Sequence, residues 1–531
     1  MYDRGPALQL TEEQSNIVRR SQIPGSFAVQ AFAGTGKTST AVEIARAAPQ
    51  TPWLYIVFNR RAADEAIARV PANVTVKTAH SLAFGPVGSK YKSALMTDYK
   101  LKQSLMPLIE RRYEALNGTT QGIRAFGHTV LEAINNFCVS ADQHVEWFHF
   151  EESPVDPDMV IAVARECWDS MVASQNGAGM THDGYLKIWQ LRNGRPRAEN
   201  ILFDEAQDAN PAMLDVVLRT DAKTIFIGDP WQSIYGWRGA IDTFESIGHL
   251  DRLPLTRSWR FGPAVADLAN SILSRLGEPF PLVGMGDTEV SIRRVNDVDM
   301  VTARTTGGLV AEAISLSEEN KRIHIVGGTA QILDWLQETY NLSHYGRSRH
   351  RDFDDFKSFA ELKEITDTAV GKAYAPYVRL VEKYGRSIPD VLQKINMQHC
   401  DILTEADTVL TSGHRGKGAE ANRVRVAPDV GGFAMVTRDG STKASPTSSA
   451  PISPYEMMDG DVVEVDKAEA NLLYVILTRA RHVLDMSNVR ETLDLSLDCI
   501  DMGREKGLEI NIKTPRSNLT RALEKKMNVS Q

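Results

Sequence analysis

Between residues 27 and 84, short apolar runs alternate with amphipathic ones. Phe27–Gln30 reads as a short buried strand, and Lys37 opens a helical run through Ala45. Pro52–Phe58 is apolar again, Arg60–Arg69 has a helical pattern, and Val74–Thr78 is a third strand that ends at Ala79-His80-Ser81. Short apolar runs bounded by turn residues fit strands buried on both faces, and their alternation with helices predicts a parallel sheet. Residues 85–189 lose the strand rhythm and read as a helical insertion; strands resume at Asn200–Phe203 and Thr224–Gly228. A second β/α set starts near Leu255, with strands at Val290–Val295, Ile323–Gly327, Val409–Thr411 and Val424–Ala427 and a helix over Lys467–Arg481. The fold class is therefore α/β, with two parallel-sheet domains that each carry a mainly helical insertion. The expected domains are 1–84 with 190–254, an insertion at 85–189, 255–338 with 404–505, a small insertion at 339–403, and a basic tail at 506–531.

The chemistry lies at the predicted strand ends. Ala33-Gly34-Thr35-Gly36 is a tight turn between a strand and a helix that opens with Lys37-Thr38-Ser39. Glycines let backbone N–H groups approach an anion, and the helix N-terminus adds partial positive charge. Lys37 adds a full charge, and the Thr38 hydroxyl can hold Mg²⁺. Ala31 stands where the strict phosphate-loop pattern has its first glycine. Asp204-Glu205 follows a buried strand, where one carboxylate can hold Mg²⁺ and the next can orient and deprotonate an attacking water. We assign Asp204 to the metal and Glu205 to the base; the plainer alternative is acidic helix capping. After the next strand come Gln232, within reach of a γ-phosphate, and Tyr235, Trp237 and Arg238, which offer stacking faces and charge. Ordinary core packing is the other reading of Trp237.

Composition narrows the setting. At 531 residues the chain exceeds a single core, and 42% hydrophobic with 24% charged residues is ordinary for a globular protein. No apolar run reaches the roughly 20 residues of a membrane span, and no signal stretch follows Met1. Four scattered cysteines form neither a metal-type pair nor a disulfide framework, which suits a reducing interior. A formal charge of −8 argues against a protein that coats DNA, yet leaves room for a basic cleft. Arg347–Arg351 is basic and fits either a nucleic-acid contact or a solvated loop; the tail fits either a polyanion contact or a solubilising end. Residues 440–454 are Ser/Pro-rich and read as a loop.

In this order the motifs resemble those of the UvrD/Rep-like superfamily 1A DNA helicases. The stretch Thr181-His-Asp-Gly-Tyr185-Leu-Lys-Ile-Trp189 is similar to the F-box DNA helicase branch, with no F-box expected because thirteen residues precede Gln14. The resemblance implies two RecA-like P-loop domains. It places Gln14 on adenine, with Ala33 to Ser39 on the phosphates. Phe58, Asn59, Thr78 and His80 would meet single-stranded DNA, as would Tyr235, Trp237 and Arg238. It places Trp259 over adenine, Arg260 and Arg479 on the γ-phosphate, His414 on DNA and Glu420 on the nucleotide. Two motifs depart from the family pattern: Ser39 replaces a usual Arg, and Ala419 and Ala421 flank Glu420 where Leu and an aromatic are usual.

The implied function is an ATP-dependent helicase or translocase moving 3′→5′ on single-stranded DNA. ATP and Mg²⁺ would bind where the two β/α domains meet, in the service of repair, recombination or replication. One alternative is a translocase that strips proteins such as recombinase filaments with little unwinding. An alternative of another class is a nucleotide-gated DNA-binding regulator with vestigial hydrolysis. Expected partners are single-stranded DNA, single/double-strand junctions and recombinase or replication proteins, with no membrane and a monomeric state. The expected location is cytoplasmic, with the nucleoid of a bacterial or phage-infected cell, or nuclear in a eukaryote.

Overall fold

The structure is a computed structural model. It describes residues 9–513 apart from 115–119, 152, 154, 174–176, 237–238, 240–242, 354–355, 367–370, 372, 438–453, 455–456 and 459. The chain divides into two compact units, with the boundary between Thr256 and Arg257. Among the described residues no helix is long and apolar enough to cross a membrane.

The first unit is built on six strands: β1 (Phe27–Ala31), β2 (Trp53–Val57), β3 (Val74–Thr78), β4 (Asn200–Phe203), β5 (Lys223–Gly228) and β6 (Arg252–Leu255). They form one sheet in the order β3-β2-β4-β5-β1-β6, every pair parallel. All five residues of β1 and of β2 are buried, as a sheet covered on both faces requires. Side chains alternate between two layers: Phe27, Val29 and Ala31 pack with Ile17 and Tyr55, while Ala28 packs with Leu54 and Phe203. This explains Ala31. It ends β1 opposite Leu255 with its methyl in the core, so no glycine is needed there.

The chain leaves this sheet after β3 and returns at β4. Between them lie helices at Asp98–Glu114, Thr120–Val139, Pro157–Val172 and His182–Leu191. They close around Leu105, Ile109, Phe137, Cys167 and Leu186. One cation is sealed in this core. Lys187 is fully buried, and its Nζ donates to Ser140 O at 2.8 Å and Asp142 O at 2.5 Å.

The second unit holds β7 (Arg257–Ser258), β8 (Val283–Gly284), β9 (Glu289–Ser291), β10 (Met300–Ala303), β11 (Ile323–Ile325) and β12 (Thr408–Ser412). It continues with β13 (Ala421–Val426), β14 (Ala434–Thr437), β15 (Val462–Asp466), β16 (Ala480–Asp485) and β17 (Glu509–Lys513). Its main sheet is parallel with the order β11-β12-β10-β13-β16-β9; β7 pairs with β8, and β14-β15-β17 form a separate small sheet. The helices between β11 and β12, at Ala330–Tyr345, Phe359–Glu364, Ala375–Tyr384 and Ile388–Gln398, make the second helical layer.

Several elements differ from the sequence reading. The helix expected over Lys467–Arg481 stops at Leu477, where the Thr478 hydroxyl donates to Tyr474 O and Val475 O. The next residues, Ala480–Asp485, are β16. Within the stretch read as a basic tail, Glu509–Lys513 pairs in parallel with β15, and residues 514–531 lie outside the described residues. Residues 440–453 of the Ser/Pro-rich loop lie outside them too.

Burial pushes the Lys187 amine down to about 8. Between about pH 8 and 10.5 the unfolded lysine holds a proton that the folded one has released, so stability rises with pH across that window. Melting curves over that range should show the wild type gaining up to roughly 3 kcal/mol relative to Lys187→Met. Parallel pH profiles for the two proteins would show that Lys187 is not the group responsible.

Candidate active site

The phosphate loop follows β1. Gly34 has φ 74° and Gly36 has φ 85°, the left-handed region that glycine enters without penalty. A methyl on Gly36 would also stand 3.2 Å from Gln14 Nε2. Gly36 is the N-cap of the helix Lys37–Ala47, so its first N–H groups, those of Lys37, Thr38 and Ser39, have no acceptor within the helix. Ala33 and Thr35 are buried, and the Thr35 hydroxyl closes the turn by donating to Phe32 O at 2.8 Å. Gln14 Oε1 accepts from Thr11 N at 3.0 Å, and its Nε2 donates to Thr40 Oγ1 at 3.2 Å. The expected adenine reader thus caps its own helix and ties that helix to the phosphate loop.

The acid pair follows β4. Asp204 is buried, and its Oδ2 accepts from Tyr55 OH at 2.5 Å. Burial, then the neighbouring Glu205 charge, push the Asp204 carboxyl up to about 6; the Tyr55 hydrogen bond and Lys37 pull the other way. Burial and Asp204 likewise hold the Tyr55 hydroxyl well above the usual phenol range, while Thr38 opposes them. The Tyr55 hydroxyl therefore meets Asp204, one of the two expected Mg²⁺ ligands, the other being Thr38. One hydroxyl and one carboxylate fit Mg²⁺ that takes its remaining ligands from phosphate and water. Among the described residues no cluster of three or more His, Cys, Asp or Glu forms a self-sufficient metal cage.

Glu205 has φ 49° and ψ 42°, a left-handed backbone that a non-glycine residue seldom adopts. Its Oε2 lies 3.7 Å from Lys37 Nζ and accepts from Gln207 Nε2 at 2.5 Å. Gln207 Oε1 accepts from Asp229 N at 2.9 Å, and Asp229 Oδ2 accepts from Gln232 Nε2 at 2.7 Å. Lys37, Glu205, Gln207, Asp229 and Gln232 thus form one line across the C-terminal ends of β1, β4 and β5. Gly228 is forced by this line, because a methyl there would meet Gln207 Oε1 at 2.3 Å.

The candidate DNA residues follow the same strand ends. Phe58 and Tyr235 stack, with ring centroids 5.9 Å apart and planes 9° apart. Asn59 Oδ1 caps the helix Arg60–Ile67, accepting from Ala62 N at 2.9 Å. Thr78 forms a capping box with Ser81. His80 Nε2 lies 2.9 Å from Asp183 Oδ1. Trp237 and Arg238 lie outside the described residues.

In the second unit, Glu420 Oε2 accepts from Arg260 Nε at 3.0 Å and from Arg481 Nε at 3.1 Å. Burial would raise the Glu420 carboxyl, but these two arginines hold it below the usual range. Arg260 also donates to Thr478 O at 3.2 Å, and the neighbouring Trp259 is 60% exposed. Arg479 is buried and donates to Val475 O at 2.7 Å and Ala419 O at 3.1 Å. His414 follows β12; burial, then Arg304, hold its imidazole below the usual range. The sequence reading assigned no role to Tyr55, Gln207, Asp229 or Asp183. Only Gln207 had a signal, its place two residues after Glu205.

The UvrD/REP helicase N-terminal domain model matches residues 186–248, the segment that carries Asp204, Glu205, Gln232 and Tyr235. Over that segment the chain is similar to the UvrD-like helicases. Over 523 residues it is 32% identical to F-box DNA helicase 1 of Gallus gallus, a match covering 92% of this chain and 50% of that protein. It is 28% identical over 543 residues to F-box DNA helicase protein 1 of Schizosaccharomyces pombe, covering 94% of this chain and 59% of the relative. DNA helicase II of Escherichia coli is 28% identical over 157 residues, 26% of this chain and 22% of that protein. The chain thus spans about half the length of the F-box relatives it matches.

Gln207→Glu tests the line of contacts from Lys37 to Gln232. It keeps an acceptor for Asp229 N but turns a second carboxylate toward Glu205. ATP turnover should fall roughly 10- to 100-fold, the cost of a displaced reacting group, with little change in melting temperature. Unchanged turnover would mean that Gln207 does not hold Glu205 in place.

Proposed function

We propose that the chain is an ATP-driven motor that moves 3′→5′ on single-stranded DNA and separates strands at single/double-strand junctions. Lys37 and the loop N–H groups bind the phosphates of ATP. Glu205 orients and deprotonates the attacking water, and Gln232 fixes the γ-phosphate. Mg²⁺ held by Thr38 and Asp204 would neutralise charge on the β- and γ-phosphates. Arg260 and Arg479 add positive charge to the transferring group, Arg479 after leaving the carbonyls of Val475 and Ala419. Gln14 and Trp259 hold the base, and Glu420 restrains Arg260 until ATP binds. Phe58, Asn59, Thr78, His80, Tyr235, Trp237, Arg238 and His414 hold the DNA strand.

The observation that carries this reading is the segment from Gly228 to Tyr235. Gln232 belongs to the line that reaches Lys37, and three residues later Tyr235 stacks on Phe58. A shift of Gln232 on γ-phosphate binding or loss therefore reaches an aromatic stack at the strand ends. Such differential contact in two nucleotide states is what drives directed movement. Stripping of recombinase or other proteins from the strand would follow from the same motion, in whichever compartment holds the DNA.

ATP hydrolysis with and without single-stranded DNA, over a salt series, tests the proposal. Stimulation by DNA should be strong and should fall steeply with salt, because phosphate contacts release counterions. Lys37→Ala and Glu205→Gln should each abolish the stimulated turnover with melting temperature unchanged. Full turnover in either variant would sink the assignment. Duplexes with a 3′ tail should be unwound, and those with only a 5′ tail left intact.

A further inference from the structure

The stretch Thr181–Trp189 has no part in the roles above, yet it reaches one of the proposed DNA residues. Its helix, His182–Leu191, starts at Thr181, whose hydroxyl accepts from Gly184 N at 3.1 Å. Gly184 lets the first turn sit close to the insertion core, since a methyl there would meet Met180 Sδ at 2.6 Å. This turn surrounds His80. Asp183 Oδ1 is 2.9 Å from His80 Nε2, and the side chains are 45% and 31% exposed. The rings of His182 and Tyr185 stand edge-on to the His80 ring, 6.0 Å and 6.2 Å away at 77° and 85°. His182 Nδ1 in turn lies 3.0 Å from Tyr185 OH. On its own side, His80 lies in the first turn of the helix Ala79–Phe84, which Thr78 caps.

The imidazole is thus fixed in plane and tautomer from outside its own element. An imidazole offers two distinct nitrogens, and the partner of one decides what the other presents. With Nε2 engaged by Asp183, Nδ1 is the nitrogen left to meet a ligand. We propose that Asp183 is a positioning residue for DNA: it holds the His80 ring so that Nδ1 meets the single strand, and so links the helical insertion to the track. This rests on the reading of His80 as a DNA contact. The helix that carries Asp183 ends at Leu191, and residues 192–199 join it to β4, which Asp204 and Glu205 follow. The residue that orients His80 and the acid pair are therefore on one continuous stretch of chain.

The test measures ATP hydrolysis by the full chain against the concentration of single-stranded oligonucleotide. Asp183→Ala should raise the half-saturating DNA concentration roughly tenfold, the weight of one hydrogen bond to a charged group. It should leave turnover at saturating DNA within about twofold, because no group on ATP is touched. Asp183→Asn keeps an oxygen that can accept from Nε2 and should restore most of the DNA affinity. His80→Ala should raise the half-saturating concentration as much, and the double variant should be no worse than His80→Ala alone, as for two residues acting through one contact. If His80→Ala weakens DNA binding while Asp183→Ala does not, the inference fails and the reading of His80 stands. If His80→Ala itself binds DNA normally, the reading fails. Equal loss of turnover and melting temperature in Asp183→Ala, unrelieved by Asn, would reduce the pair to a structural tie and overturn the proposal.

Discussion

Asp204 and Glu205 are adjacent carboxylates at the buried end of a parallel strand, and such a pair is costly unless each charge is met. The rest of the first unit's site follows from meeting those charges. Tyr55 reaches across from β2 to Asp204, and Lys37 reaches from the phosphate loop toward Glu205. Gln207 turns back within the same motif and donates to the same Glu205 oxygen, Oε2. The left-handed backbone of Glu205 belongs to the same solution. In an ordinary strand-to-helix exit the two side chains would diverge along the pleat; the positive φ turns Glu205 toward Lys37. Strain of this kind persists only where neighbouring contacts over-determine it, and here Lys37 and Gln207 do so.

The parallel sheet makes those contacts possible. β1, β4 and β5 end at one edge, so the loops after them meet although they come from residues about 30, 205 and 230. Backbone N–H groups from the first loop, carboxylates from the second and amides from the third then face a shared space, as expected at the carboxyl ends of strands in open α/β sheets. Gly228 and Gly36 are the places where a side chain would block this approach. Ala31 shows the converse: one residue before the loop the chain is still in the core, and a methyl is accommodated there.

Much of this was legible in the sequence because it is local. The apolar runs, the glycine turn and the acid pair are short patterns whose chemistry does not depend on distant residues. The contacts that tie them together were not legible. Tyr55 looks like one more apolar strand residue until Asp204, 149 positions away, is placed beside it. Arg479 reads as a charge offered to a phosphate, whereas its guanidinium is satisfied by the carbonyls of Val475 and Ala419. The helix expected to continue through Arg481 breaks because Thr478 turns its hydroxyl back on the preceding turn, and the charged run after it belongs to a strand. Asn59 and Thr78 carry a double meaning: residues expected from the sequence to meet DNA are the caps of the helices that follow.

Sheet order also decides where the helical insertion can act. The chain leaves at β3, on the edge of the sheet, and re-enters at β4 on the far side of β2. Whatever is inserted there must begin beside the loop that holds His80 and finish on the strand that carries Asp204. A helix near the end of the insertion can therefore touch the first without a long connection to the second, and His182–Leu191 does so through Asp183. An insertion at β5 or β6 would have had no such reach, because neither strand neighbours β3 or its loop. The choice of insertion point, more than the composition of the insertion, places a contact to the proposed track and the acid pair on one short piece of chain.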